Sequence, residues 1–306
     1  MRKLLTLTCA LMLVSSMAFA KRYPASASSK TPADLVPFPD AGKGWVTLDI
    51  GSNGKVVKPA VGAKDKTRNT SITPSVIYAF NSNVAATFNI GFVTGKDQTL
   101  YVDKSKISGF TNPTVGVVYR ALDSAKNGND LNIGLSISPT FGKKEVKPRA
   151  TINKVNAISG QNVVVFDVAW SKNINDFAIG AEFGFAYNGE QKTKNKNTGV
   201  ITKHKATQDI NLGINAQYKG VNKLALTAGL DYTKYGKIKT KGAGAAVQSK
   251  SFGQLGFGLD ANYNVCKNTY VNVNWDHAFK ATIKDGDGNK TKLSGDSFGI
   301  GATYQF

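Results

Sequence analysis

From Gly44 onward, apolar side chains return at every second position in stretches of about ten residues. Leu131, Ile133, Leu135 and Ile137 alternate with Asn132, Gly134, Ser136 and Ser138; Ile210, Leu212 and Ile214 alternate with Asn211, Gly213 and Asn215. Successive strand side chains point to opposite faces, so a period of two predicts strands with one apolar face and one small or polar face. The pattern predicts twelve strands, at 44–51, 73–81, 84–94, 113–122, 131–142, 162–172, 177–188, 208–219, 223–234, 252–265, 269–280 and 297–306. The expected fold class is all-β.

The connections sort by length. Short ones span 81–83, 123–130, 173–176, 220–222 and 266–268; long ones span 52–72, 95–112, 143–161, 189–207, 235–251 and 281–296. Long and short alternate along the whole chain. Antiparallel neighbours joined up and down put every long connection at one end and every short turn at the other, as in membrane barrels with even strand counts.

Alternation alone fits a soluble sandwich as well as a barrel, and the aromatic positions separate the two. In the apolar phase, Tyr78, Phe80, Tyr119, Trp170, Tyr218 and Tyr263 stand at the short-turn ends of their strands. Phe92, Phe141, Tyr187, Tyr232 and Phe279 stand near the long-loop ends. Two aromatic girdles around an aliphatic band are what membrane interfaces select, because Tyr and Trp can keep one end wet. The pattern therefore predicts a transmembrane, antiparallel up-and-down β-barrel of about twelve strands.

The stretch Ser297–Phe306, SFGIGATYQF, adds a resemblance. With Phe298, Ile300, Tyr304 and Phe306 in one phase, it resembles the closing strand of bacterial outer-membrane β-barrel proteins of the porin-like kind. That resemblance implies that the barrel assembly machinery reads these residues as an assembly signal. It also implies a location in the bacterial outer membrane, among its lipid and lipopolysaccharide.

The first twenty residues agree with export. Met1-Arg2-Lys3, the apolar run Leu4–Val14 and the A-x-A ending at Ala18–Ala20 read as a signal peptide, with Lys21 as the mature start. Thr8 fits poorly before a lipid-modified cysteine, so Cys9 reads as part of the apolar run. Cys266 is then the one mature cysteine, and no internal disulfide is expected. Residues 21–42, rich in Pro, Ser and Ala, read as a flexible N-terminal segment or as one lying in a lumen. The barrel is expected over 43–306.

Charge changes the picture next. The net charge of +19 loses Arg2 and Lys3 with the signal peptide, leaving +17. An exported chain of this kind is not a nucleic-acid partner. The long loops carry +4, +1, +4, +4, +4 and 0 in chain order, which accounts for the whole excess and concentrates it on one rim. Anionic solutes, lipopolysaccharide phosphates or extracellular polyanions are the chemistries such a rim would attract.

Catalytic chemistry finds little footing. His204 lies in a Lys-rich loop and reads as solvated. Asp276 and His277 are adjacent, so on a strand they face opposite ways and cannot form a dyad. Asp285-Gly-Asp287-Gly-Asn289 with Asp296 resembles a calcium loop in part, but Lys290 stands where the sharp turn wants Gly. Gly256-x-Gly258 and Gly299-x-Gly301 have no helix after them and read as small strand residues. No metal, cofactor or enzymatic role is expected.

The expected function is a passive channel for small hydrophilic solutes or ions. The alternative is a structural or adhesive barrel with a closed lumen, whose Lys-rich loops bind polyanions. By phase, the inward face carries Asp49, Asp167, Glu182, Asp209, Asp231, Asp260 and Asp276, with Arg120 as its one base. These are the expected pore-lining residues. Loop charges are screened within a Debye length of about 8 Å, whereas charges in a narrow channel are not. Ion preference is therefore expected to follow the lumen and be cationic.

Overall fold

The computed structural model describes residues 31–58, 65–98, 104–147, 152–158, 160–242, 244–285 and 288–306. The predicted signal peptide, Cys9 and residues 21–30 lie outside the described residues.

Twelve antiparallel strands close into one barrel. In order they are Gly44–Lys58, Asp65–Ala79, Val84–Asn89 continued by Phe92–Gln98, and Lys104–Phe110 continued by Thr114–Leu122. Then come Asn129–Ser138, Val163–Ile174, Phe177–Asn188, Thr207–Val221, Leu224–Tyr235, Phe252–Cys266, Thr269–Lys284 and Lys290–Gln305. Each pairs with its sequence neighbours. The twelfth closes on the first in a register running from Trp45 opposite Gln305 to Lys58 opposite Lys292. Closure removes both sheet edges, which a membrane requires because lipid cannot satisfy unpaired N–H and C=O groups.

The side-chain distribution is inverted relative to a soluble protein. Leu48, Ile50, Leu135, Leu212, Ile214 and Val273 are all more than two-fifths exposed, and comparable residues continue around the outer wall. A soluble monomer does not expose an apolar surface of that extent. The inner wall holds Ser71, Asn132, Ser136, Gln217 and Thr303, all buried. Of the predicted girdle, Tyr78, Phe80, Tyr119, Tyr218 and Tyr263 lie exposed on the outer wall and Trp170 is half-buried.

The strands run further toward the long-loop end than the hydrophobic pattern indicates. Residues 52–57 pair with 65–70 although both stretches read as loop. Lys290 to Ser294 likewise pair with Lys284 and its neighbours, or with Val56 to Lys58. Beyond the apolar band the outward positions are mostly Lys, Arg, Thr and Ser, so the pairing continues without the outward apolar alternation. A 16-residue strand such as Thr269–Lys284 is roughly 50 Å long, whereas crossing the bilayer takes about 9–11 residues. Short strands at Lys144–Lys147, Ile152–Asn156, Gln191–Asn195, Ile201–His204, Lys239–Gly242 and Gly244–Gln248 extend the sheet at this end.

At the other end the turns are tight. The 123–130 connection holds one helical turn, Ser124–Asn127, with the Asp123 side chain accepting from the Ala125 N–H. Gly128 ends it in the left-handed conformation, at φ 68°.

Candidate pore

The lumen has three levels. At the short-turn mouth lies the chain's own N-terminal segment. The Leu35-Val36-Pro37-Phe38-Pro39 stretch enters the barrel, where Val36 and Phe38 are 2% and 1% exposed. A residue before proline is held extended and proline carries no N–H, so this sequence crosses a lumen with few backbone donors left to satisfy. Phe38 packs on the inward-facing Ala79 and Ala85, with Ile77 and Val118 beside them. The Arg120 guanidinium stacks over the Phe38 ring, 4.2 Å from its centre. The same guanidinium donates to Asp123 at 2.9 Å and to the Pro39 carbonyl at 3.5 Å.

Two further contacts tie the segment across the mouth. Gln217 Nε2 donates to the Ala33 carbonyl at 2.8 Å, and Lys219 forms an ion pair with Asp34. Asp34 also accepts from the Thr31 hydroxyl at 2.7 Å. Arg120 is therefore an anchor for this segment rather than a charge facing open water. Nor is it the one inward base, because Lys219 also faces the lumen and the longer first strand puts Lys55 in the inward phase. The sequence signal was the isolated LVPFP run between polar neighbours. Its seat, 81 residues away at Arg120, had no local signature.

The middle level is polar and acidic. Asp49, Asp167, Glu182, Asp231, Asp260 and Asp276 all lie in the inward phase of their strands. Several rest on a glycine of the adjacent strand. Asp167 lies across from Gly134, Asp231 from Gly256, and Asp49 from Gly301. A Cβ at any of these glycines would overlap the facing carboxylate, so these side chains lie flat against the wall. Glu182 accepts from Asn215 Nδ2 at 2.9 Å, and Asp276 accepts from the Ser297 hydroxyl at 3.0 Å. Asp260 accepts from Asn262 on its own strand. A cavity of about 60 Å³, room for several waters, opens beside Asp167, with Thr47, Ser75, Thr87, Asn132 and Ser136 among its lining residues. Asp209 departs from the expectation. It is 4% exposed and accepts from Asn188 Nδ2 and the Gly236 N–H, both at 3.0 Å, so it belongs to the wall.

The third level, at the long-loop end, was not anticipated. Val57, Tyr235, Phe252, Ala281, Ile283 and Leu293 form a buried apolar cluster on the inner side of five consecutive strands, the ninth through the twelfth and the first. Tyr235 and Phe252 stack with ring centres 4.7 Å apart. Leu293 and Ile283 fall in the predicted loop 281–296, and only the continued strand pairing turns them inward.

The remaining candidates resolve locally. Asp276 faces the lumen and His277 the outside, where His277 Nδ1 lies 2.8 Å from Asp296 of the neighbouring strand. That partner is 19 residues away and depends on the register. His204 is buried rather than solvated, at 2% exposure. Gln191, Thr193 and Lys144, buried like it, come from the added strands of the long-loop end. Burial, and then the nearby charge of Lys144, push its imidazole down to about 4. Asp285 takes the backbone and side-chain N–H groups of Asn289 at 2.8 and 2.9 Å, which makes it a turn lock; Asp287 lies outside the described residues. Among the described residues no three His, Cys, Asp or Glu side chains are grouped to hold a metal ion.

A search of curated proteins returns no match. Among solved structures, the chain is similar to an outer membrane channel from Pseudomonas putida F1, at 11% identity and a TM-score of 0.60, covering 88% of this chain and 97% of that one. It is also similar to the translocator domain of the autotransporter NalP from Neisseria meningitidis, at 12% identity and a TM-score of 0.55, covering 87% and 90%. At these identities the likeness concerns the fold. The profile of the outer membrane protein beta-barrel domain matches residues 121–306, more than half of the chain. With its closed twelve-stranded barrel and outward apolar band, the chain belongs to the family of outer membrane β-barrel proteins and resides in the bacterial outer membrane.

Proposed function

We propose that the protein is a passive channel for small hydrophilic solutes and ions, with residues 31–42 occupying its periplasmic mouth. The observation that carries this reading is the set of mid-lumen carboxylates lying flat on glycines. A packed structural core would fill that space with apolar side chains, whereas this lining keeps charge on the wall and leaves the axis to water. The ion pairs of Arg120 with Asp123 and of Lys219 with Asp34 neutralise the bases at the mouth, so the acids dominate the middle. Cations are the preferred ions.

The test is conductance of the purified protein in planar bilayers, with reversal potential under a KCl gradient. The channel reading expects cation preference, reduced by Asp167→Asn combined with Glu182→Gln. Absence of conductance, both in the full chain and in a variant lacking residues 31–42, would sink it. The closed-lumen, adhesive reading has one observation in its favour, the buried seat of Val36 and Phe38. It expects that silent outcome.

A further inference from the structure

Four consecutive strands around the seam carry a basic outer face just beyond the aromatic girdle. Lys58 and Lys292 stand directly opposite each other across the closing pair, and Lys284 stands opposite Lys290 on the next. Lys66 and Arg68 continue the face on the second strand, in the same phase as the lipid-facing Ile72 and Val76. All six are exposed. Of the carboxylates near this face, Asp296 pairs with His277 and Asp285 accepts from Asn289.

Like charges directly opposite on one face of a sheet repel, and two such pairs in adjoining ladders are a standing electrostatic cost. A multivalent anion lying between them removes it. The height of the face points to which anion. Lys292 pairs with Thr282, three residues beyond the girdle residue Phe279, or about 10 Å along a tilted strand. The headgroup layer outside a hydrocarbon core of about 30 Å has that depth. The residues also share the phase of the lipid-facing band, so they look sideways into the membrane interface.

We infer that Lys58, Lys292, Lys284, Lys290, Lys66 and Arg68 form a binding face for the phosphate groups of an anionic outer-leaflet lipid such as lipopolysaccharide. The face is independent of whether the lumen conducts. It is tested on the full folded barrel in zwitterionic detergent, by the temperature at which the heat-modifiable folded band is lost. Lipopolysaccharide, the same lipid after dephosphorylation, and soluble polyphosphate are added in separate arms. Wild type should gain several degrees with the phosphorylated lipid and little with the other two. Lys58→Gln with Lys292→Gln should lose at least half of that gain. Without added lipid the double variant should melt at the wild-type temperature or roughly a degree higher, because the repulsion is gone. An equal gain in the double variant, an equal gain with dephosphorylated lipid, or a full gain with polyphosphate would overturn the inference. A double variant less stable than wild type in detergent alone would also overturn it, because the pair would then be supporting the fold unaided.

Discussion

Phe38→Ala is the sharpest perturbation of the mouth. The ring is 1% exposed, wedged between Ala79 and Ala85 with the Arg120 guanidinium 4.2 Å above it. Truncating a buried Phe to Ala costs about 3–5 kcal/mol, and the stacked cation falls within that figure. The barrel wall itself is held by its backbone ladders, so the loss falls on the seating of residues 31–42 rather than on the fold. At about 1.4 kcal/mol per tenfold, even the lower figure shifts the ratio of seated to displaced segment by roughly 100-fold. A mouth that is vacant about 1% of the time would become vacant about half of the time. Single-channel recording reads this directly. Wild type should show rare openings and Phe38→Ala frequent ones of the same amplitude, with the heat-modifiable folded band unchanged. An open probability and amplitude equal to wild type would refute the seating argument.

Three further outcomes follow from the geometry. Gly256→Ala puts a Cβ where the Asp231 carboxylate lies and should swing that group toward the axis, lowering unit conductance with the folded fraction intact. Phe306→Ser keeps the backbone bonds to Gly44, at 3.0 and 3.1 Å, but removes the ring that covers that glycine, and should sharply lower the amount of folded barrel in the outer membrane; an unchanged folded band would count against its role in assembly. His204 is neutral in the fold down to about pH 4, whereas an unfolded histidine titrates near 6.5. Between those values the unfolded form binds more protons, so the long-loop layer keeps this stability above pH 6.5 and loses it as the pH falls toward 4. Limited proteolysis of the long-loop end should accelerate on acidification in wild type and not in His204→Gln.

The sequence was most legible where membrane and water impose opposite demands on alternate residues. The phases of Leu135 and Gly134, or of Ile214 and Asn215, could be assigned from the pattern alone, and inward placement of Asp167 and Glu182 followed. Legibility ended where that contrast ended. Lys290 to Ser294 extend a strand, but their outward positions Lys290, Lys292 and Ser294 are polar, so the outward apolar pattern stops before them. His204 was misplaced because its burial depends on added strands contributed by other loops. The phase of Arg120 could be read as inward, yet its partners Phe38 and Pro39 lie about 80 residues earlier and reach it only because the N-terminal segment turns into the barrel. Cross-strand partners such as Asp296 for His277 need the register, which period two fixes only in parity.

The seam also sets an order of events. Thr47 and Thr303 share a hydrogen bond across 256 residues of sequence, and every pair along that closing ladder is similarly distant. Until Lys290–Gln305 arrives, Gly44–Lys58 presents a bare edge able to pair with any other strand. Contacts of such separation form slowly, so a partly assembled sheet persists with two sticky edges complementary chiefly to each other. Residues 31–42 are continuous with the first of those edges and lie inside the finished ring. A segment that lodges before closure needs no passage through the mouth, and its apolar LVPFP run then gives the nascent inner wall something to fold around.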